Sequence, residues 1–302
     1  MKKLTKRRKH DIFMGYLFTS PWILGFLFFI VFPLITSFYL SFTRYDILSA
    51  PRWIGLQNWI RMFTQDPRFW NATKATFKYV IFEVPLRLLF AFIVALIFSQ
   101  RESKILNLYR AIYYIPSLIG GSVAIAVVWR QIWGYPDGIV NAILSILGLK
   151  GMNWLGDTRT AIWTLILLAV WQFGSPMLIF LAALKQVPTE LYEAATIDGA
   201  NFWGRLFKIT IPMVTPVILF NLINQMIHAF MAFTQSYIIT QGGPLDSTLF
   251  YAVYMYRKAF NDFEMGYASA LAWFMLTLVG IFTIIIFKTS NRWVYYEAEE
   301  GV

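Results

Sequence analysis

From Ile12 to Thr43 the chain runs without one formally charged residue. Roughly 20 apolar residues are enough to cross a hydrocarbon core about 30 Å thick. The core of a cleavable secretory signal is shorter still, about 7–15 residues, so this run reads as an uncleaved span. Backbone polar groups inside lipid must bond to one another, which leaves only helices or closed barrels. Five further apolar runs follow, at about 79–98, 111–129, 160–184, 211–239 and 266–287. Their length predicts helices, and the chain reads as an all-α polytopic membrane protein of six transmembrane helices. The excess of the first run is expected to lie along the membrane surface before Pro21. Only 14% of residues are charged, against about 25% in soluble domains. The apolar run Gly138–Leu149 is too short to span and is expected at the interface.

Six spans place both ends on one side. Of the 26 Lys and Arg, 14 fall on the side of the N-terminus and ten on the other, with Lys78 and Arg87 assigned to the second span. The asymmetry rests on the cluster Lys2-Lys3 and Lys6-Arg7-Arg8-Lys9, which predicts cytoplasmic termini. The net charge of +10 suits an anionic lipid surface, and no nucleic-acid partner is expected. Trp53, Trp59, Trp70, Trp133 and Trp154 crowd the proposed outer loops, where amphipathic rings anchor at headgroup depth. The chain has no cysteine and two histidines, one of them His10 in the basic tail. Disulfides, thiolate metal sites and cysteine nucleophiles are therefore excluded. With the acids mostly at loop positions, no catalytic site or metal site assembles, and no cofactor is expected.

Residues 185–212 form a polar stretch of good helix formers interrupted by Gly199 and, on this reading, ended by Pro212. Two short helices with a turn at Asp198-Gly199-Ala200 are expected. Leu191, Ala194 and Ala195 recur at helical spacing, as do Phe202, Leu206 and Phe207 in a shifted phase. Each piece thus keeps an apolar face that needs a partner, either its own bundle or another chain.

Polar groups at membrane depth usually face a cavity or a partner. The fifth span is richest in them. Asn221, Asn224 or Gln225, and His228 form a stripe at i, i+3/i+4, i+7, and Gln235 comes after it. With Trp171 and Gln172 of the fourth span, these residues supply the planar hydrogen-bonding groups and aromatic faces a sugar site needs. Interhelical packing is the competing account of the same side chains. Glu83 and Arg87, four apart around Pro85, are read as an ionic pair on one helix face, with an ion relay as the alternative.

The loop and its surroundings resemble a known family. Glu193-Ala194-Ala195, Asp198-Gly199-Ala200, Ile209, Ile211-Pro212 and Pro216 are similar to the EAA loop of binding-protein-dependent ABC importer permeases. Further matches point to the carbohydrate branch, which includes the maltose and glycerol-phosphate permeases. These are Gly55-Leu56, Asn58-Trp59, Asp66-Pro67, Arg110 with Pro116, Trp154-Leu155-Gly156-Asp157, Thr240 with Gly242-Gly243-Pro244, Ser247-Thr248, Gly266-Tyr267-Ala268-Ser269-Ala270, Arg292-Trp293 and Tyr296-Glu297. The resemblance covers almost the whole chain in order.

It implies a type I ABC importer permease fold with a cytoplasmic EAA coupling-helix loop, in which Glu193, Ala194, Ala195, Asp198, Gly199, Ala200 and Pro212 serve ATPase coupling. The implied division is a basic N-terminus, first helix and outer loop (1–75), a core transmembrane domain (76–290) and a cytoplasmic tail (291–302). The implied partners are a second, related permease subunit, two cytoplasmic ATPase subunits, an extracellular or periplasmic sugar-binding protein, the sugar itself and the lipid of a bacterial inner membrane. No G-x-x-x-x-G-K-[ST] phosphate cradle occurs in the chain, so ATP chemistry belongs to another subunit. Set beside the sugar-contacting maltose permease subunit, Ser117, Gly121, Gln172, Gly174 and Met177 fall at pathway positions. His228 replaces a phenylalanine there, and Ala229 and Ala232 replace asparagines, so the place of the site carries over and its chemistry does not. An ion-gradient-driven secondary transporter is the alternative, but the internal repeat such proteins show is not seen.

Overall fold

The computed structural model describes residues 6–100 and 103–295. Lys2, Lys3 and the Tyr296-Glu297 motif lie outside the described residues. In chain order, α1 (Lys6–Phe26) passes through a π turn into α2 (Phe32–Leu40). A two-residue hairpin comes next, β1 (Thr43–Arg44) antiparallel to β2 (Arg52–Trp53), and then α3 (Gln57–Thr64) and the long α4 (Pro67–Ser99). After these come α5 (Lys104–Ile119), α6 (Val123–Ile132), α7 (Ile139–Ile146), α8 (Ala161–Trp171), α9 (Gly174–Leu184) and α10 (Thr189–Ile197). The rest comprises α11 (Phe202–Arg205), α12 (Ile211–Phe230), α13 (Tyr251–Tyr256) and α14 (Met265–Ser290).

Among the described residues, four helical stretches are long and apolar enough to cross a membrane: Ile12–Leu40, Pro67–Ser99, Phe202–Phe230 and Met265–Ser290. The spans expected over 111–129 and 160–184 are not single unbroken helices. Helices α5 and α6 meet at 100°, and α8 and α9 at 44°, so each expected span is a bent pair.

Three prolines show how a freed carbonyl finds another donor. A proline inside a helix leaves the carbonyl four residues earlier without its donor. At Pro21 that carbonyl is Leu17, and the Ser20 hydroxyl donates to it at 2.7 Å. The helix continues through Pro21 without a break. At Pro216 the freed Pro212 carbonyl accepts from the Thr215 hydroxyl at 2.6 Å, and α12 likewise continues. At Pro176 the freed carbonyl is Gln172. Its donors come from other helices: Arg87 Nη2 at 2.8 Å and Ser117 Oγ at 3.0 Å. There the helix breaks.

The chain divides into two compact units. The first comprises residues 1–65 and 255–275. Within it Asn58 Nδ2 donates to the Ser41 and Thr43 carbonyls at 2.9 Å each, pinning α3 under the end of α2. Gly266 donates to the Tyr45 carbonyl at 3.2 Å, with its α-carbon so near Thr43 that a side chain would collide with that carbonyl. Arg61 forms a two-bond pair with Glu264 and lies over the Tyr267 ring. These contacts account for Asn58, Gly266 and Tyr267 of the Asn58-Trp59 and Gly266-Tyr267 motifs.

The second unit comprises residues 66–254 and 276–302. Asp66 caps α4 by accepting from the Phe69 N–H at 3.1 Å, and Pro67 occupies the first turn, where no N–H is needed. The Tyr254 hydroxyl also donates to Asp66. Helix α4 is the axis of this unit and packs on α8, α9 and α12, with Tyr79, Leu165, Leu168, Met177 and Phe180 fully buried.

The apolar run Gly138–Leu149 forms α7, which Asn141 holds in place. Its Nδ2 donates to the Gly134 and Met152 carbonyls, and its Oδ1 accepts from the Met152 N–H and the Trp154 indole, all at 3.0–3.1 Å. The Gly134 carbonyl also accepts from the Gly138 N–H, so replacing Asn141, itself only 4% exposed, by leucine leaves three groups without partners: the Met152 N–H and carbonyl and the Trp154 indole. Each buried orphan costs about 1–3 kcal/mol, so Asn141→Leu is expected to destabilise the protein by at least about 3 kcal/mol. The midpoint of denaturation in detergent measures this, and an unchanged midpoint would show that the loop packs without the amide.

Candidate functional site

The segment predicted as a helix pair begins with α10, which ends in a glycine cap. The Ala200 N–H bonds to the Ala195 carbonyl at 2.8 Å and the Gly199 N–H to Thr196 at 3.1 Å, while Gly199 takes a φ of +77°. Both bonds of a Schellman motif are present, and its left-handed position is the one that favours glycine. Asn201 then caps α11 by accepting from the Gly204 N–H at 2.8 Å. Two contacts tie α10 to α11 and to the turn beyond it. Tyr192 and Thr210 share a hydrogen bond of 2.9 Å between hydroxyls, and Arg205 donates to Thr196 Oγ1 at 3.1 Å.

Pro212 does not end this segment, contrary to expectation. Helix α11 runs through a π turn (Leu206–Thr210) into α12, giving one helical stretch from Phe202 to Phe230. At the π turn the Ile211 N–H reaches back to Leu206, so Pro212 enters in the first turn of α12, where its missing donor is least costly.

The loop is open to its surroundings. No residue of α10 is buried. Glu193, Ala194 and Asp198 are exposed, and Ala195 and Ala200 half-exposed. Ile197 is 87% exposed, and the Trp203 and Phe207 rings stack at 6.0 Å with both largely uncovered. Of the predicted apolar faces, Leu206 is buried within this chain, whereas Leu191, Phe202 and Phe207 remain substantially exposed.

A cavity of about 460 Å³ opens among α4, the α5–α6 bend, the α8–α9 break and α12. Six of the proposed pathway residues line it: Ser117, Gly121, Gln172, Gln225, His228 and Gln235. Five do not. Trp171 stacks on Trp129 with centroids 6.2 Å apart. Met177 is fully buried in the core. Asn221 is also buried and keeps both amide atoms unpartnered. Asn224 folds back to donate to the Phe220 carbonyl at 2.8 Å. Gly174 lies where α9 crosses α5, its missing side chain giving room to the Tyr113 carbonyl and the Tyr114 α-carbon. Between Asn224 and Gln225, the alternatives left open by spacing, the cavity takes Gln225.

Ser117 does structural work as well. Its hydroxyl donates to Gln172 O and accepts from the Ser175 N–H at 2.9 Å, so one side chain serves both loose ends of the broken helix. Glu83 and Arg87 form the expected ionic pair at 3.1 Å, and both also line the cavity beside Tyr79 and Ser175. Neither the helix-face reading nor the ion-relay alternative placed the pair at this cavity.

A family of binding-protein-dependent transport system inner membrane components matches residues 77–295. The chain belongs to that family. The permease is 54% identical over 303 residues to the probable ABC transporter permease protein YesP of Bacillus subtilis (strain 168), covering 99% of this chain and 97% of that protein. It is 34% identical to the arabinooligosaccharides transport system permease protein AraP of the same organism, covering 91% and 88%. It is 33% identical to the trehalose/maltose transport system permease protein MalF of Thermococcus litoralis, covering 95% and 97%. Among solved structures, the fold matches a chain of a bacterial alginate ABC transporter in complex with alginate pentasaccharide-bound periplasmic protein. The TM-score is 0.82 at 23% identity, covering 96% of the permease and 98% of that chain. The protein is thus a multi-pass membrane permease subunit of an ABC transporter, not an enzyme in its own right.

Proposed function

We propose that the permease forms half of the translocation pathway of an ATP-driven, binding-protein-dependent importer of oligosaccharides, in a bacterial inner membrane with both termini cytoplasmic. The single observation that carries the reading is the polar cavity. Ser117, Gln172, Gln225, His228 and Gln235 come from three stretches far apart in the chain and meet at one cavity, within a chain whose relatives are named for arabinooligosaccharides, trehalose/maltose and lactose transport. A pocket with a few convergent hydrogen-bonding groups suits a polyhydroxylated ligand. A second, related permease supplies the other wall, and an external sugar-binding protein delivers the substrate.

Two cytoplasmic ATPase subunits drive the cycle, one of them engaging the loop at Glu193, Ala194, Ala195, Asp198, Gly199 and Ala200. The stacked, exposed Trp203 and Phe207 rings and the exposed Ile197 at the end of α10 support this, since uncovered apolar surface marks an interaction site. Motion of α10 would pass through α11 and the π turn to Pro212 and α12, which carries Gln225 and His228. Reading the chain as an ion-gradient-driven transporter has no comparable support.

The test is uptake by proteoliposomes holding the complete importer, with ATP inside and loaded binding protein outside. His228→Ala is expected to lower sugar uptake several-fold while the complex with the ATPase persists. Normal uptake by this variant would place His228 in packing, and absence of ATP-dependent uptake by the unmodified complex would overturn the importer reading itself.

A further inference from the structure

The Glu83–Arg87 pair is half satisfied. Glu83 is 1% exposed, and its Oε1 accepts from Arg87 Nη1, yet its Oε2 is buried with no partner. Arg87 uses Nη1 on Glu83 and Nη2 on the Gln172 carbonyl, leaving Nε unpartnered. On α12, Gln225 is 8% exposed and its Oε1 also lacks a partner. Glu83, Arg87 and Gln225 all line the same cavity. An unbonded buried carboxylate oxygen is costly, and a structural ion pair gains nothing from leaving one. The two orphan oxygens are acceptors, so what satisfies them must donate, and among sugar groups the donor is a hydroxyl.

We infer that Glu83 and Gln225 are substrate-contacting residues, their free oxygens accepting hydrogen bonds from sugar hydroxyls in the cavity, and that Arg87 is a positioning residue. Arg87 is tied at one end to the Gln172 carbonyl that Pro176 frees and at the other to Glu83 Oε1, which fixes the direction of Oε2. The break in the α8–α9 span and the selectivity of the cavity are in this way one arrangement. The inference rests on the reading of the cavity as a sugar pathway and adds to it the residues and the hydrogen-bond polarity of the site.

The experiment measures sugar transported per ATP hydrolysed by the complete importer in proteoliposomes. Radiolabelled arabinotriose, maltotriose and lactose serve as probes, and whichever the unmodified complex imports is used. Glu83→Gln keeps an oxygen for Arg87 but can place an amide donor where Oε2 accepts. Sugar per ATP is expected to fall roughly ten- to a hundredfold, the factor corresponding to loss of a hydrogen bond to a charged acceptor. A purely structural pair would change the amount of assembled complex and leave this ratio alone. Gln225→Leu removes the second acceptor and is expected to lower the same ratio several-fold. It decides the matter alone if Glu83→Gln does not assemble. An assembled Glu83→Gln complex with an unchanged ratio overturns the inference, as does an unchanged ratio in Gln225→Leu where that variant decides. Failure of the unmodified complex to import any probe would instead count against the importer reading.

Discussion

Replacing Gly199 by valine is expected to uncouple the importer, with binding-protein-stimulated ATP hydrolysis lost and sugar uptake lowered at least about tenfold. The backbone at Gly199 has a φ of +77° and closes the glycine cap of α10. For an L-residue the left-handed region costs roughly 1–2 kcal/mol, and a β-branched side chain is a true outlier there. Since 1.4 kcal/mol is a factor of about ten, strain of this size is enough to shift α10 out of register with its partner. Nothing in the described structure lies within 4 Å of where a Cβ would be, so no collision inside the permease contributes. This gives a control. Gly199→Asn, which tolerates the left-handed conformation, is expected to keep most of the coupling. Loss in both variants would mean that the ATPase backbone approaches the glycine closely. Normal transport by Gly199→Val would remove the loop from the coupling path.

Gly174→Val is expected to prevent stable accumulation of the permease, and Gly174→Ala to lower its stability by about 1–3 kcal/mol, the usual cost of overpacking. A Cβ at Gly174 would stand 2.7 Å from the Tyr114 α-carbon and 3.0 Å from Ser117 Oγ, with the Tyr113 carbonyl closer still. Two of these neighbours are backbone and cannot rotate away. Pushing α5 from α9 would also pull Ser117 from both loose ends of the broken helix. Membrane abundance and the midpoint of unfolding in detergent measure the effect. An unchanged midpoint for the alanine variant would show that the crossing is compliant.

Much of the architecture can be read from local pattern. A long unbroken apolar run satisfies its backbone in lipid as a helix, a barrel needing shorter alternating strands, and the apolar parts of Ile12–Leu40, Pro67–Ser99 and Met265–Ser290 follow from composition and length. Asp198-Gly199-Ala200 is legible because a Schellman cap is a local device whose bonds close within six residues. The cavity was legible in part. Helical spacing put Gln225 and His228 on one stripe, but the same spacing admitted Asn221 and Asn224. Choosing among them depended on which face of α12 meets α4 and α9, and which meets open space.

The helix breaks lay beyond local reading for a definable reason. Pro21, Pro176 and Pro216 present the same local defect, a carbonyl deprived of its donor. At Pro21 and Pro216 the replacement donor is the hydroxyl of the preceding residue, Ser20 or Thr215, and the helix continues, but Ser175 precedes Pro176 in the same way and the helix breaks there. At Pro176 the donors are Arg87, 85 residues from the Gln172 carbonyl, and Ser117, 55 residues away. Only the packing of α4 and α5 against that point brings them there. The same Ser/Thr-Pro pair thus has two outcomes, because a freed carbonyl takes whichever donor reaches it, and only tertiary packing brings Arg87 and Ser117 to Gln172.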